Sequence, residues 1–224
     1  MTSLAHLHPA LDSGLAALGF APEPLATRLL DYLALLVRWN ATYNLTAIRD
    51  PVEMVPKHLL DSLAIAPFVR GAVADIGAGA GLPGIPLALA LPNLDMTLVE
   101  SNGKKARFLR EAQRNLGLKN LQVAESRAES FNAPARFDCL VSRAFGSLVE
   151  FVRVGGHLLA DGGQLLAMKG QEPADEIAAL SPGWRVASVH TLDVPGLRAQ
   201  RHLLIIEREG IERLRAGQTM GTAG

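Results

Sequence analysis

The chain has 224 residues, 49% hydrophobic and 20% charged, enough apolar material for one domain with an appendage or for two small ones. Its formal net charge of +0 excludes a globally basic nucleic-acid binder and leaves any such work to local patches. Cys139 is the only cysteine, which excludes an intramolecular disulfide framework, and no apolar run approaches the ~20 residues of a membrane span.

The chain opens Met-Thr-Ser-Leu-Ala-His-Leu-His-Pro, without a basic leader region, so a soluble cytoplasmic protein without membrane contact is expected. Residues 1–70 read as a helical N-terminal extension. Leu25, Leu29, Leu33 and Leu36 recur at helical spacing, broadened by Leu30 and Val37. Pro22 and Pro24 mark the entry to that helix and Asn40 its exit. A second helix is expected over 55–66, ending before Pro67. His58 and Asp61 lie three apart on it and so share a face, which reads as a His–Asp pair tying the N-terminal helices to the sheet.

From Gly71 short apolar runs at 72–76, 95–99, 120–124, 137–142 and 163–168 alternate with helical stretches near 84–91, 102–117, 145–153 and 173–180. Alternating strands and helices predict an α/β fold with a doubly wound, mostly parallel sheet. The stretches 184–194 and 201–207 are also strand-like. Only Pro195-Gly196 punctuates between them, so an antiparallel hairpin should finish the sheet. One domain over 71–208 and a flexible tail over 209–224 complete the organisation.

The most informative segment is Ala72-Val-Ala-Asp-Ile-Gly-Ala-Gly-Ala-Gly-Leu-Pro-Gly84, followed after Met96-Thr-Leu-Val99 by Glu100. A strand, a glycine turn, a helix, a second strand and a terminal acid form a nucleoside-binding half-site. Two registers compete. Gly79, Gly81 and Gly84 fit the dinucleotide pattern G-x-G-x-x-G, which would place an NAD(P) cofactor there. That register buries Asp75 in the strand and puts Gly77 inside it, where glycine is weakening. The other register starts the turn at Gly77 and reads G-x-G-x-G. Asp75 then sits at the strand's carboxyl end beside the cleft. A carboxylate there suits the amino group and sulfonium of S-adenosyl-L-methionine and repels a pyrophosphate. The second register is preferred. It assigns Asp75, Gly77, Gly79 and Gly81 to the cofactor, with Glu100 on the ribose hydroxyls.

Further candidates lie at later strand ends. Ala128 and Glu129 follow the third strand, at the edge where ligands sit. Arg143 follows the fourth, positioned to orient cofactor or substrate, to grip a phosphate, or to form a structural ion pair. An Asn/Asp-Pro-Pro-aromatic element is missing there, against adenine-N6 chemistry. Cys139 falls mid-strand among apolar neighbours and reads as core. Over 101–119, six cations (Lys104, Lys105, Arg107, Arg110, Arg114, Lys119) face one acid, Glu111. Lys104 and Lys105 open that helix beside the cofactor edge and are candidates for RNA phosphate, joined by Lys169 and Arg201. No His/Cys/Asp cluster has metal-ligand spacing, so no metal is expected.

At this point the chain resembles one family. The matching segments are Arg38-Trp-Asn-Ala-Thr-Tyr-Asn-Leu-Thr46, Lys57-His-Leu-Leu-Asp-Ser-Leu63, residues 75–86, Gly103-Lys-Lys-Ala-Arg-Phe-Leu109, Ser126-Arg-Ala-Glu129, Ser142-Arg-Ala-Phe145 and Lys169-Gly170. In order, over roughly 38–170, they are similar to the bacterial 16S rRNA guanine-N7 methyltransferases. The resemblance implies a class I methyltransferase fold and S-adenosyl-L-methionine as cofactor. It implies a pocket of Gly77, Gly79, Gly81 and Leu82, with Glu100 on the ribose, Ala128 and Glu129 near the adenine, and Arg143 at the inner edge. It further implies, as substrate, a guanosine of the decoding-region loop, in 16S rRNA or the small ribosomal subunit. Guanine N7 has a lone pair and no proton, so no general base is expected, and a monomer suffices. The rival readings are a small-molecule methyltransferase of the same fold and an NAD(P)-dependent oxidoreductase.

Overall fold

The computed structural model describes residues 4–143 and 145–210. Helix α1 (His8–Ala17) and the long α2 (Leu25–Tyr43) come first. No glycine or proline interrupts α2, and Asn44 ends it in the left-handed conformation at φ 50°, four residues past the expected exit at Asn40. Asn40 is buried instead and holds the turn after the helix, accepting from the Thr46 N–H and donating to the Ile48 carbonyl.

The helix expected over 55–66 starts four residues earlier and ends at Leu63, as a contiguous run of α3 (Pro51–Met54), a π-helical stretch (Val55–Leu60) and α4 (Asp61–Leu63). The wider π turn, with its i→i+5 bonding, undoes the helical-face argument for His58 and Asp61. Their expected pairing is not formed. His58 bonds Thr46 Oγ1 through Nε2 and the Lys57 carbonyl through Nδ1, while Asp61 turns to two arginines.

Seven strands come next: β1 (Ala72–Ile76), β2 (Asp95–Glu100), β3 (Leu121–Glu125), β4 (Phe137–Ser142), β5 (Leu159–Lys169), β6 (Trp184–Thr191) and β7 (His202–Arg208). They form one sheet in the order β3-β2-β1-β4-β5-β7-β6. The first five pair in parallel, and β7 runs antiparallel between β5 and β6, as the missing helix before it predicts. Between them lie α5 (Gly84–Ala90), α6 (Gly103–Asn115), α7 (Leu148–Gly155) and α8 (Ala174–Ala178). The fifth strand starts four residues earlier than its apolar run, through Ala160-Asp-Gly, which is partly exposed and lacks the large apolar side chains that mark a strand in sequence. Helix α7 starts at Leu148, where the Ser147 hydroxyl caps the Glu150 N–H at 3.2 Å.

Strand side chains alternate between two apolar layers. Val73, Met96, Leu98, Cys139, Val141, Leu166 and Leu203 pack with the N-terminal helices, α5 and α6. Ala74, Ile76, Val99, Leu140, Leu165 and Leu204 pack on the other face with Phe151 of α7. The N-terminal helices thus share one continuous core with the sheet. Cys139 is buried in that core, as expected, and burial raises its thiol pKa. No helix among the described residues is long and apolar enough to cross a membrane. The tail expected over 209–224 falls, beyond Gly210, outside the described residues.

Candidate active site

The glycine turn leaves the carboxyl end of β1 in the register that starts at Gly77. The N–H groups of Gly77 and Ala78 both donate to the Val99 carbonyl, at 2.9 and 3.2 Å, which ties the turn to β2. Gly77 has φ +71°, and a Cβ built on it would meet nothing within 4 Å, so it faces open space. Gly81 is glycine for another reason. At φ +85° its Cβ would run into Ile85 at 2.4 Å and Leu109 at 3.0 Å. One glycine therefore keeps the mouth of the cleft clear, and the other lets the turn lie flat on α5 and α6.

Two buried carboxylates hold this turn. Glu100 ends β2, 7% exposed, and accepts from the Gly79 N–H (Oε2, 2.8 Å) and the Asn102 N–H (Oε1, 2.8 Å). Each oxygen keeps further acceptor capacity for a ligand hydroxyl. Asp75 is 1% exposed and departs from its expected place beside the open cleft. It is the fourth residue of a five-residue strand, shares the face of Val73, and is sealed beneath the start of α5. Its Oδ2 accepts from the Gly84 N–H at 2.9 Å, and its Oδ1 has no hydrogen-bond partner. Burial pushes its carboxyl from 3.8 up to about 7. The Gly84 N–H and Arg143 oppose that rise, and Glu100 adds to it. The NAD(P) register had Asp75 buried in its strand, and in that detail it is right. The turn nevertheless begins at Gly77, as the other register requires. A third side chain reaches the turn from α2: the Tyr32 hydroxyl donates to the Ala80 carbonyl at 2.7 Å.

Beside the turn lies a cavity of about 140 Å³ lined by Gly77, Val99, Ser101, Ala128, Glu129 and Phe145, among others. Ala128 and Glu129 reach it from a single helical turn after β3. The Glu129 carboxylate is 3.4 Å from Arg153. Ser101 and Phe145 were not singled out in the sequence, because nothing distinguishes a lining serine or phenylalanine from a packed one.

A second cavity, of about 340 Å³, opens between the π-helical stretch and the ends of β4, β5 and β7. Lys57, His58, Asp61, Arg143, Lys169 and Arg201 line it. Arg143 donates to the Lys57 carbonyl at 3.1 Å and stands 3.4 Å from Asp61 Oδ2. Arg201 Nε donates to Asp61 Oδ1 at 2.9 Å. Burial raises the Asp61 carboxyl, against the pull of both arginines. The same surroundings, burial first and Arg143 second, lower His58 from 6.5 to about 4 and keep it neutral near pH 7. Lys169 is bound to Glu176 at 2.9 Å and is 15% exposed. Of the four expected RNA-contacting cations, then, Lys169 and Arg201 are already paired. Lys104 stands exposed and Lys105 half-exposed at the start of α6, where the Asn102 side chain caps both backbone N–H groups. Elsewhere, His8, Asp12 and Glu23 bring ligand atoms within 4.8 Å of one another, a grouping of partly exposed side chains that spacing alone did not reveal.

The donors and spaces fit an adenosyl cofactor. They offer open backbone at Gly77 and a carboxylate with spare lone pairs at Glu100. Solved structures share the fold at low identity. The glycopeptide N-methyltransferase MtfA, complexed with S-adenosyl-L-homocysteine, matches at TM-score 0.56 and 14% identity over 67% of this chain and 87% of its own. A predicted O-methyltransferase from Agrobacterium tumefaciens matches at TM-score 0.52 and 24% identity over 68% and 80%. In sequence, the ribosomal RNA small subunit methyltransferase G of Xanthomonas campestris pv. campestris (strain B100) is 59% identical over 201 residues, covering 89% of this chain and 94% of that protein. The protein of the same name from Stenotrophomonas maltophilia (strain K279a) is 62% identical over 197 residues, covering 88% and 92%. The family model for rRNA small subunit methyltransferase G matches residues 26–204, from the start of α2 into β7, and the chain belongs to that family.

Proposed function

We propose that this chain moves the methyl group of S-adenosyl-L-methionine to N7 of a guanosine in the decoding-region (530) loop of 16S rRNA. The observation that carries the reading is the turn from Gly77, open at its mouth and closed by Glu100, in a chain of this family. Glu100 holds the ribose hydroxyls, Gly77, Gly79, Gly81 and Leu82 floor the cleft, and Ala128 and Glu129 border the adenine. Asp75 acts from beneath, setting the turn's geometry through its bond from the Gly84 N–H.

Bound there, the cofactor supplies an electrophilic methyl on a cationic sulfur. The protein's share is alignment: a nucleophile and a methyl held in line react as one unit. Guanine N7 carries no proton to remove, so no side chain need serve as a base, and a neutral, doubly bonded His58 is consistent with that. Arg143, fixed by the Lys57 carbonyl and Asp61, positions the base or its phosphate. Lys104 and Lys105 meet RNA phosphates beside the cleft, while Lys169 and Arg201 line the second cavity in ion pairs with Glu176 and Asp61. The site accepts an unpaired loop, because a duplex would bury N7 in a groove closed to side chains. The chain works as a cytoplasmic monomer on 16S rRNA or the small subunit and needs no metal.

The test is nuclease digestion and mass spectrometry of 16S rRNA from cells lacking this protein. The expected result is loss of 7-methylguanosine from the decoding-region loop, restored by the intact gene. Its retention at full level overturns the proposal.

A further inference from the structure

Tyr32 lies in the middle of α2, 48 residues before its hydrogen-bond partner, and is 0% exposed. Its neighbours on that face are leucines: Leu29, Leu33 and Leu36 are each 0% exposed. A phenylalanine would fill the same space without bringing a hydroxyl into the core, where an unpartnered polar group is costly. The hydroxyl has one evident use, the 2.7 Å bond to the Ala80 carbonyl. Ala80 sits between Gly79, whose N–H is held by Glu100, and Gly81, where an added Cβ would strike Ile85 and Leu109. The peptide groups around Ala80 are therefore gripped from the cleft side by Glu100 and from the core side by Tyr32. Burial also drives the phenol pKa far upward, so the group is a donor at every working pH.

We propose that Tyr32 is a positioning residue for the methyl transfer, the hydroxyl through which the N-terminal helices set the cofactor-binding turn. It touches no cofactor atom and acts through the Ala80 peptide. The N-terminal helices then have two tasks, bordering the substrate cleft and fixing the floor of the cofactor cleft. Loss of the hydroxyl leaves a buried carbonyl unpaired, and the turn relaxes to give it a partner. The relaxed turn no longer presents the Gly79 peptide to Glu100 in the binding geometry.

This inference rests on the assignment of the turn to S-adenosyl-L-methionine, and the experiment separates the two. Titration calorimetry with S-adenosyl-L-homocysteine is run on the unaltered protein, on Tyr32→Phe, and on Leu15→Ala. Leu15 is a 0% exposed residue of α1 with no polar link to the turn. Failure of the unaltered protein to bind removes the assignment itself. With binding established, Tyr32→Phe is expected to weaken it by about fivefold to fiftyfold. Leu15→Ala is expected to lower thermal stability at least as much while leaving the dissociation constant within twofold. Equal dissociation constants for Tyr32→Phe and the unaltered protein overturn the inference. So does equal weakening by both variants, and so does failure of Tyr32→Phe to fold, since the hydroxyl would then serve the whole core rather than the turn.

Discussion

The two cavities of this protein are built on opposite plans. The cofactor side is short-range: one turn, one strand end and two carboxylates bonded to backbone N–H groups within 21 residues of themselves. The cation-lined side is long-range: Asp61 meets Arg143 across 82 residues and Arg201 across 140, drawing the N-terminal helices to the ends of β4 and β7. In the first, backbone geometry makes the site and side chains refine it. In the second, the site exists only because distant charges neutralise one another, so each cation there has two possible occupations, an internal acid or a ligand.

The largest effect should come from the short-range side. Glu100→Ala removes the partner of two backbone N–H groups and the acceptor proposed for the ribose. Each hydrogen bond to a charged group is worth ~1.5–3 kcal/mol, so affinity for S-adenosyl-L-methionine should fall ten- to a hundredfold or more. Calorimetry checks it, and ordinary binding by the variant would remove Glu100 from the site. On the long-range side, Asp61→Asn leaves two guanidinium groups facing a neutral amide. Removing one partner of a fully buried pair costs about 3–5 kcal/mol, and the arginines here are a quarter exposed, so roughly 2 kcal/mol is expected in denaturant unfolding. Cofactor affinity should stay within a few-fold. Parallel loss of both would mean that the two cavities are not energetically separate.

This difference in plan also decides what could be read in the chain. The mostly parallel sheet, the closing hairpin and the turn at Gly77 follow from local signals: apolar runs, glycine spacing, and a missing helix before β7. Cys139 in the core follows in the same way. The second cavity does not. Lys169 and Arg201 look like free cations in the sequence because Glu176 and Asp61 carry no mark of their partners. His58 and Asp61 look paired because spacing assumes an α-helix, and the π turn over 55–60 changes which side chains meet. Tyr32 is one hydroxyl in a leucine stripe, and only the fold shows Ala80 above it. Asp75 was placed by its position along the strand, whereas its burial is set by which face of the sheet it takes.

Between these extremes stands Asp75, local in its bond and buried like a core residue. Its carboxyl titrates near 3.8 unfolded and about 7 folded, so over that window the native state keeps a proton that the unfolded chain releases. Its contribution to stability is complete below 3.8 and is lost as pH rises through 7. His58 has the opposite sign. With a folded pKa of about 4 against 6.5, its contribution is complete above 6.5 and is lost as pH falls through 4. Asp75→Asn should delete its share of the falling slope, so that stability between pH 4 and 6.5 rises more, or falls less, than in the unaltered protein, with the His58 gain now opposed by the raised Asp61 carboxyl. Unfolding midpoints at several pH values measure this, and an unaltered slope in the variant would show that Asp75 stays ionised in the fold.

The smallest effect sharpens the comparison most, because it asks which cations are free to meet RNA. Neutralising a phosphate of single-stranded RNA steepens the dependence of log affinity on log salt by about 0.7 per contact. Lys104 and Lys105, at the open start of α6, should each carry such a contact, so replacing both with alanine should flatten the slope by about 1.4. Lys169 is held by Glu176 and by the carbonyls of Phe145 and Gly146, and Lys169→Ala should leave the slope nearly unchanged. Filter binding of a decoding-loop RNA across a salt series reads both. The reverse pattern, a flat response to the α6 pair and a loss at Lys169, would mean that Glu176 gives up its lysine when RNA arrives. The internal ion pairs of the second cavity would then be placeholders for phosphate rather than structure.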